Sequence, residues 1–132
     1  MTIETKYKLA AAHVDGLYVR ENTPNTSSIE ASLGDYRVLR GIRVVPFSAF
    51  TQMDLNRPLR FYSVDEQRRT EHLAAQIAKS GEINPLIVVE DAEGPYILEG
   101  VHRFDALRLL KAKAFPALVV LDLESLQANE TR

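Results

Sequence analysis

The sequence predicts an α/β domain: a small mixed sheet with helices packed on it, extended at its N-terminus by a β-hairpin. Three observations carry that expectation. Residues 86–90 and 117–121 are short runs rich in Val, Leu and Ile, the second apolar on both faces as buried strands are. The capping box Ser63-Val64-Asp65-Glu66 opens a helical pattern with an apolar stripe of Leu73, Ala74, Ile77 and Ala78, and Gly81 stops it after Ser80. Between the two strand runs, Tyr96-Ile97-Leu98-Glu99-Gly100-Val101-His102-Arg103 reads as a strand, one glycine and a helix start.

In chain order, residues 8–14 and 17–20 flank Asp15-Gly16, the pair preferred in a type I′ hairpin turn, although the segment also reads as a loose arm. Residues 21–28 are a polar connector of turn formers. Ser27-Ser28-Ile29-Glu30 fits a capping box and predicts a short helix from Ser28 to about Leu33. Residues 41–46 read as a strand closed by Pro46, and 47–60 as irregular chain. Pro85 starts the 86–90 strand, Asp91-Ala92-Glu93-Gly94 turns it into 96–98, and the helix 101–111 turns Phe104, Leu107 and Leu110 inward. After the 117–121 strand, residues 122–132 carry a short helix that frays. The expected organisation is an extension over 1–40 and the main domain over 41–132.

Composition narrows the function classes. The 132 residues suffice for one domain with a modest core. A formal net charge of -2 argues against a surface dedicated to coating DNA. The chain has no cysteine, which excludes disulfides, thiol chemistry and cysteine-based zinc sites and fits a reducing cytoplasm. Residues 1–6 lack the apolar stretch of a signal peptide, and the longest fully apolar run, 115–121, is too short to span a bilayer, so no membrane association is expected.

The 96–107 segment is the chemically informative one. A helix N-terminus leaves N–H groups unpaired and carries partial positive charge. Gly100 lets the chain turn sharply, and His102 and Arg103 add side-chain donors. Phosphate is the natural guest of such an arrangement, although a glycine turn followed by solvated basic residues has the same spacing.

Ile83-Asn84-Pro85-Leu86-Ile87-Val88-Val89, the 96–103 segment and Phe115-Pro116-Ala117-Leu118-Val119-Val120 together resemble the ParB/sulfiredoxin superfamily, over about residues 42–121. Residues 100–103 are similar to the Gly-Cys-His-Arg of sulfiredoxins, the Asp-Gly-His-His-Arg of ParB-like free-serine kinases and the Gly-Glu-Arg-Arg of ParB partition proteins. In all three groups this loop and helix start hold nucleotide phosphates. The resemblance therefore implies a site made of Gly100, Val101, His102 and Arg103, joined by Arg57, whose Arg57-Pro58 step resembles the one lining the sulfiredoxin nucleotide pocket. Val101 stands where sulfiredoxins carry their nucleophilic cysteine, so their sulfinic-acid repair is excluded.

Each residue has a second reading. Arg103 either clamps a phosphate or is a solvated arginine whose charge opposes the helix dipole. His102 either donates to a phosphate oxygen or caps the local turn. Glu99 either places Mg²⁺, which keeps most of its waters, or is a strand-end surface acid. Arg57 either holds the outer phosphates or is an ordinary loop arginine. Asp65, Glu66 and Glu71 are the options for a catalytic base, against helix-start electrostatics for Asp65, a capping role for Glu66 and a solvated helix face for Glu71. Arg37, Arg40 and Arg43 either touch nucleic acid or guard a sheet edge.

The expected function is nucleotide binding, with ATP or another nucleoside triphosphate and Mg²⁺, in a small phosphotransferase or nucleotidase acting on a hydroxyl-bearing acceptor. The alternative is a non-catalytic or DNA-associated ParB-like module, CTP-binding or of the kind labelled a nuclease, acting with a partner. No paired-carboxylate cluster in the sequence supports nuclease chemistry. The hairpin is expected either to cover the pocket or to mediate a homodimer.

Overall fold

The computed structural model describes residues 3–20, 26–50 and 64–130. After a single helical turn, α1 (Ile3–Lys6), the hairpin strands β1 (His13–Val14) and β2 (Leu17–Val19) are followed by α2 (Ser27–Ser32), β3 (Tyr36–Val38) and β4 (Arg43–Pro46). A 3-10 turn (Phe47–Ala49) follows β4. Then come α3 (Val64–Ser80), β5 (Glu82–Ile83), β6 (Leu86–Asp91), β7 (Gly94–Glu99), α4 (Val101–Leu109), β8 (Ala114–Asp122) and α5 (Leu123–Glu130).

The main sheet is mixed. β8 is its spine: β6 lies parallel to it, with Leu86 opposite Ala117 and Glu90 opposite Leu121. β3 and β4 pair with it antiparallel, Tyr36 opposite Asp122 and Arg43 opposite Ala117. β7 folds back on β6 as a hairpin. Because strand side chains alternate between faces, β6 feeds two cores. Leu86 and Val88 join Val45, Ile77, Leu107, Phe115 and Val119 on the face covered by α3 and α4. Ile87 and Val89 join Val120 and Ile29 of α2 on the other face. All four of these β6 residues are fully buried, which explains why the run is apolar without alternation.

The structure amends several expectations. Ala78 is exposed; the buried face of α3 is Thr70, Ala74 and Ile77, with Thr70 Oγ1 returning its proton to the Glu66 carbonyl at 3.0 Å. Leu110 lies past the end of α4 and is 38% exposed, because the helix stops at Leu109 and the chain turns through Lys111 at φ 59°. α2 starts at Ser27 with Thr26 as its N-cap, and that cap makes no side-chain bond. Ser63 of the second capping box lies outside the described residues.

The hairpin turn is as expected, with Asp15 at φ 48° and Gly16 at φ 83°. The segment is no loose arm. Lys8 accepts from Val44 N–H, Ala10 N–H donates to Ile42, and Asp15 accepts from Lys113 N–H, each at 2.8 Å. Tyr7 is fully buried; its hydroxyl donates to Glu90 at 2.8 Å, and Lys6 pairs with the other oxygen of that carboxylate. Burial, then the bond and charge of Glu90, push the Tyr7 phenol well above its ordinary range. Arg43 is committed locally, donating to the carbonyls of Tyr7 and Arg40 at 3.1 Å, while Arg37 and Arg40 lie on the exposed surface.

Candidate functional site

β7 ends at Glu99 and α4 begins at Val101, leaving Gly100 as the N-cap at φ 102°. No side chain caps this helix start. The first intrahelical bond runs from Phe104 N–H to the Gly100 carbonyl at 2.8 Å, so the N–H groups of residues 101–103 lie outside the helix ladder. Phe104 is wedged among Phe47, Phe50 and Phe115, with ring centroids 5.0–5.8 Å from its own, and this holds the first turn of α4 in place.

Glycine is required at position 100 for two reasons. The positive φ disfavours any side chain. An added Cβ would also meet Leu86 Cγ at 2.8 Å and Arg103 Nη2 at 3.1 Å. The second contact shows where Arg103 goes: its guanidinium folds back over the loop. Its Nη1 donates to the carbonyls of Asn84 and Pro85, at 3.0 and 2.9 Å. Burial disfavours its charged form and the nearby Glu99 carboxylate partly offsets that, but guanidinium stays protonated regardless. Arg103 forms no ion pair with a carboxylate among the described residues. It is thus a brace between the β5–β6 connection and the helix start.

His102 takes the opposite direction. Its Nε2 lies 2.6 Å from Glu66 Oε2, linking the first turn of α4 to the first turn of α3. Glu66 Oε1 is also 3.9 Å from Arg69. Glu66 is the base option that the fold brings to the loop. Glu71 instead accepts from Gln67 at 3.0 Å on the exposed face of α3. The side chain of Asp65 and the whole of Arg57 lie outside the described residues. His13 and His72 are exposed.

Beside the loop opens a cleft of about 250 Å³, lined by Leu73 and Ile77 of α3, Ile83, Asn84, Arg103 and, from the end of the hairpin, Arg20. Asn84 Oδ1 is buried there without a hydrogen-bond donor among the described residues. Sequence reasoning missed both Arg20 and the Asn84–Pro85 carbonyls, since a backbone acceptor leaves no mark in side-chain chemistry. The one available signal was Pro85, which has no N–H with which to continue a ladder.

Comparison with known families shows which family carries this arrangement. The model described as the ParB N-terminal domain matches residues 42–131. The chain belongs to the ParB N-terminal domain family. This agrees with the resemblance to the ParB/sulfiredoxin superfamily, and the family region contains every element of the loop: β5 through α4, and α3 with Glu66. Among curated proteins no sequence matches the chain.

The donor set suits a polyphosphate, with outward N–H groups at a helix N-terminus, a glycine that lets the backbone approach and a guanidinium at its side. For Mg²⁺ the described residues contain no cluster of three or more His, Asp or Glu. Glu99 as a single carboxylate still fits that ion, which is commonly held by one or two carboxylates together with phosphate oxygens and water. No helix among the described residues is long and apolar enough to cross a membrane.

Proposed function

We propose that this ParB-like domain binds a nucleoside triphosphate at the start of α4 and transfers its terminal phosphoryl group to a small hydroxyl-bearing acceptor, with Glu66 as the base. The observation that carries the reading is the 2.6 Å contact between Glu66 and His102. It brings a carboxylate from α3 into contact with the first turn of α4, which supports Glu66 over the other base options.

The N–H groups of Val101, His102 and Arg103 would take phosphate oxygens, aided by the α4 dipole. Arg103, braced by Asn84 and Pro85, adds fixed positive charge without having to be ordered on binding. Mg²⁺ held through Glu99 would supply charge neutralisation on the phosphates. Glu66 would accept the acceptor's hydroxyl proton as the acceptor oxygen bonds to the γ-phosphorus and the bond to the β-bridging oxygen breaks, releasing the diphosphate. His102 would keep the carboxylate aimed during that step. Arg57 is proposed for the outer phosphates.

The test uses radiolabelled ATP and Mg²⁺ with a panel of small hydroxyl compounds. Glu66→Gln is expected to retain nucleotide binding and to lower turnover by roughly 10²–10⁴. Equal turnover in Glu66→Gln would remove Glu66 from the chemistry. A wild-type protein that neither loses the γ-phosphate nor gains thermal stability from ATP, CTP or GTP would end the nucleotide reading. Salt-sensitive duplex binding that nucleotide strengthens, with no phosphoryl transfer, would favour the DNA-associated module instead.

A further inference from the structure

The hydrogen bonds by which the hairpin reaches the phosphate loop are backbone ones. β2 lies parallel to β5, Tyr18 opposite Glu82 and Val19 opposite Ile83. Tyr18 N–H donates to the Gly81 carbonyl at 2.8 Å and Arg20 N–H to the Ile83 carbonyl at 3.0 Å. The next two residues, Asn84 and Pro85, present the carbonyls that hold Arg103 Nη1. Among the described residues β5 is only two residues long and has no strand partner other than β2. The hairpin is itself fixed at its far side, by Asp15 on Lys113 N–H and, upstream, by Lys8 on Val44 N–H and Tyr7 on Glu90.

We infer that the N-terminal hairpin positions Arg103. Ile83 and Leu86 anchor the two ends of this connection in the core, and the β2 pairing supplies its ladder bonds; together they place the Asn84 and Pro85 carbonyls, and these in turn hold the guanidinium over Gly100. The positioning group is the Arg20 N–H rather than its side chain, whose contact with Glu82 is a loose, exposed 3.8 Å pair. The family match begins at residue 42, so the hairpin lies outside the matched region. Its consequence for ligand affinity rests on the phosphate site proposed above, whereas its consequence for Arg103 does not.

The experiment follows the Arg103 Nε–H resonance in ¹⁵N-labelled full-length protein, assigned by its loss in Arg103→Lys. Arg20→Pro deletes the N–H that Ile83 accepts, and Arg20→Gln keeps it. The Arg103 resonance is expected to move or broaden in Arg20→Pro and to stay in place in Arg20→Gln. ATP·Mg affinity is expected to fall by roughly 5- to 150-fold in Arg20→Pro, the usual range of coupling between sites. An unmoved Arg103 resonance in Arg20→Pro, or equal displacement in both variants, overturns the inference. If Arg20→Pro does not fold, Asp15→Gly, which removes the carboxylate that accepts from Lys113 N–H and leaves the positive φ of the turn accessible, takes its place with the same two outcomes for the resonance. A wild-type protein that ignores ATP sinks the phosphate reading alone, because the Arg103 resonance is read without nucleotide.

Discussion

Replacing Gly100 with alanine adds one methyl group at the most constrained point of the loop. Two costs apply. An L-residue at positive φ loses about 1–2 kcal/mol. The new Cβ also lands 2.8 Å from Leu86 Cγ, and Leu86 is fully buried in β6 and has nowhere to retreat. Overpacking of this kind costs about 1–3 kcal/mol. The sum is about 2–5 kcal/mol, which for a chain of this size lowers Tm by roughly 7–18 °C. Urea denaturation monitored by circular dichroism measures it. Gly16→Ala is the internal control, since Gly16 also has positive φ, at 83°, but nothing lies within 4 Å of its added Cβ. Only the backbone term of about 1–2 kcal/mol is expected there. A Gly100→Ala variant no less stable than Gly16→Ala would refute the claim that Leu86 closes the space under the loop.

Two further substitutions probe the frame around the site. Tyr7→Phe removes a donor from the buried Glu90 carboxylate and is expected to destabilise by about 1–3 kcal/mol in equilibrium unfolding. The Tyr7 phenol has a raised pKa in the folded state, so its contribution is intact below its ordinary value of about 10 and declines as pH climbs above that value, where the unfolded chain ionises and the folded chain resists. The alkaline loss of stability should therefore be shallower in Tyr7→Phe, and an unchanged alkaline limb would contradict the assignment. Ile29→Ala empties the only contribution of α2 to the outer core, next to Ile87, Val89 and Val120, and is expected to cost about 2–5 kcal/mol with the α4 loop unaltered by NMR.

Much of this architecture was legible from the residues. The 86–90 and 117–121 runs, the Gly81 stop and the strand-glycine-helix step at Gly100 all fell where local chemistry put them. What escaped were features decided by distant partners. Nothing local marks Tyr7 for burial; its partner Glu90 lies far along the chain. Glu66 reads as a capping acid because its relation to His102 depends on how α3 and α4 pack. Ala78 and Leu110 sit at plausible stripe positions, but a small exposed alanine and a leucine past the end of its helix leave the same pattern as buried ones. Arg103 was legible as a residue of the loop, yet the carbonyls that turn it inward were not.

The placement of β8 as the spine also bears on how the chain is made. Among the described residues the strand that both β3 and β4 pair with is β8, residues 114–122, while residues 8–10 bond to the other edge of β4. At a synthesis rate of about 5–20 residues per second, strands near residue 40 wait roughly 4–15 s for that partner to be polymerised. Pairing over such separations also makes folding slow once the partner exists. During that interval the edges of β3 and β4 that β8 will occupy stay unpaired, and unpaired strand edges are templates for association between nascent chains.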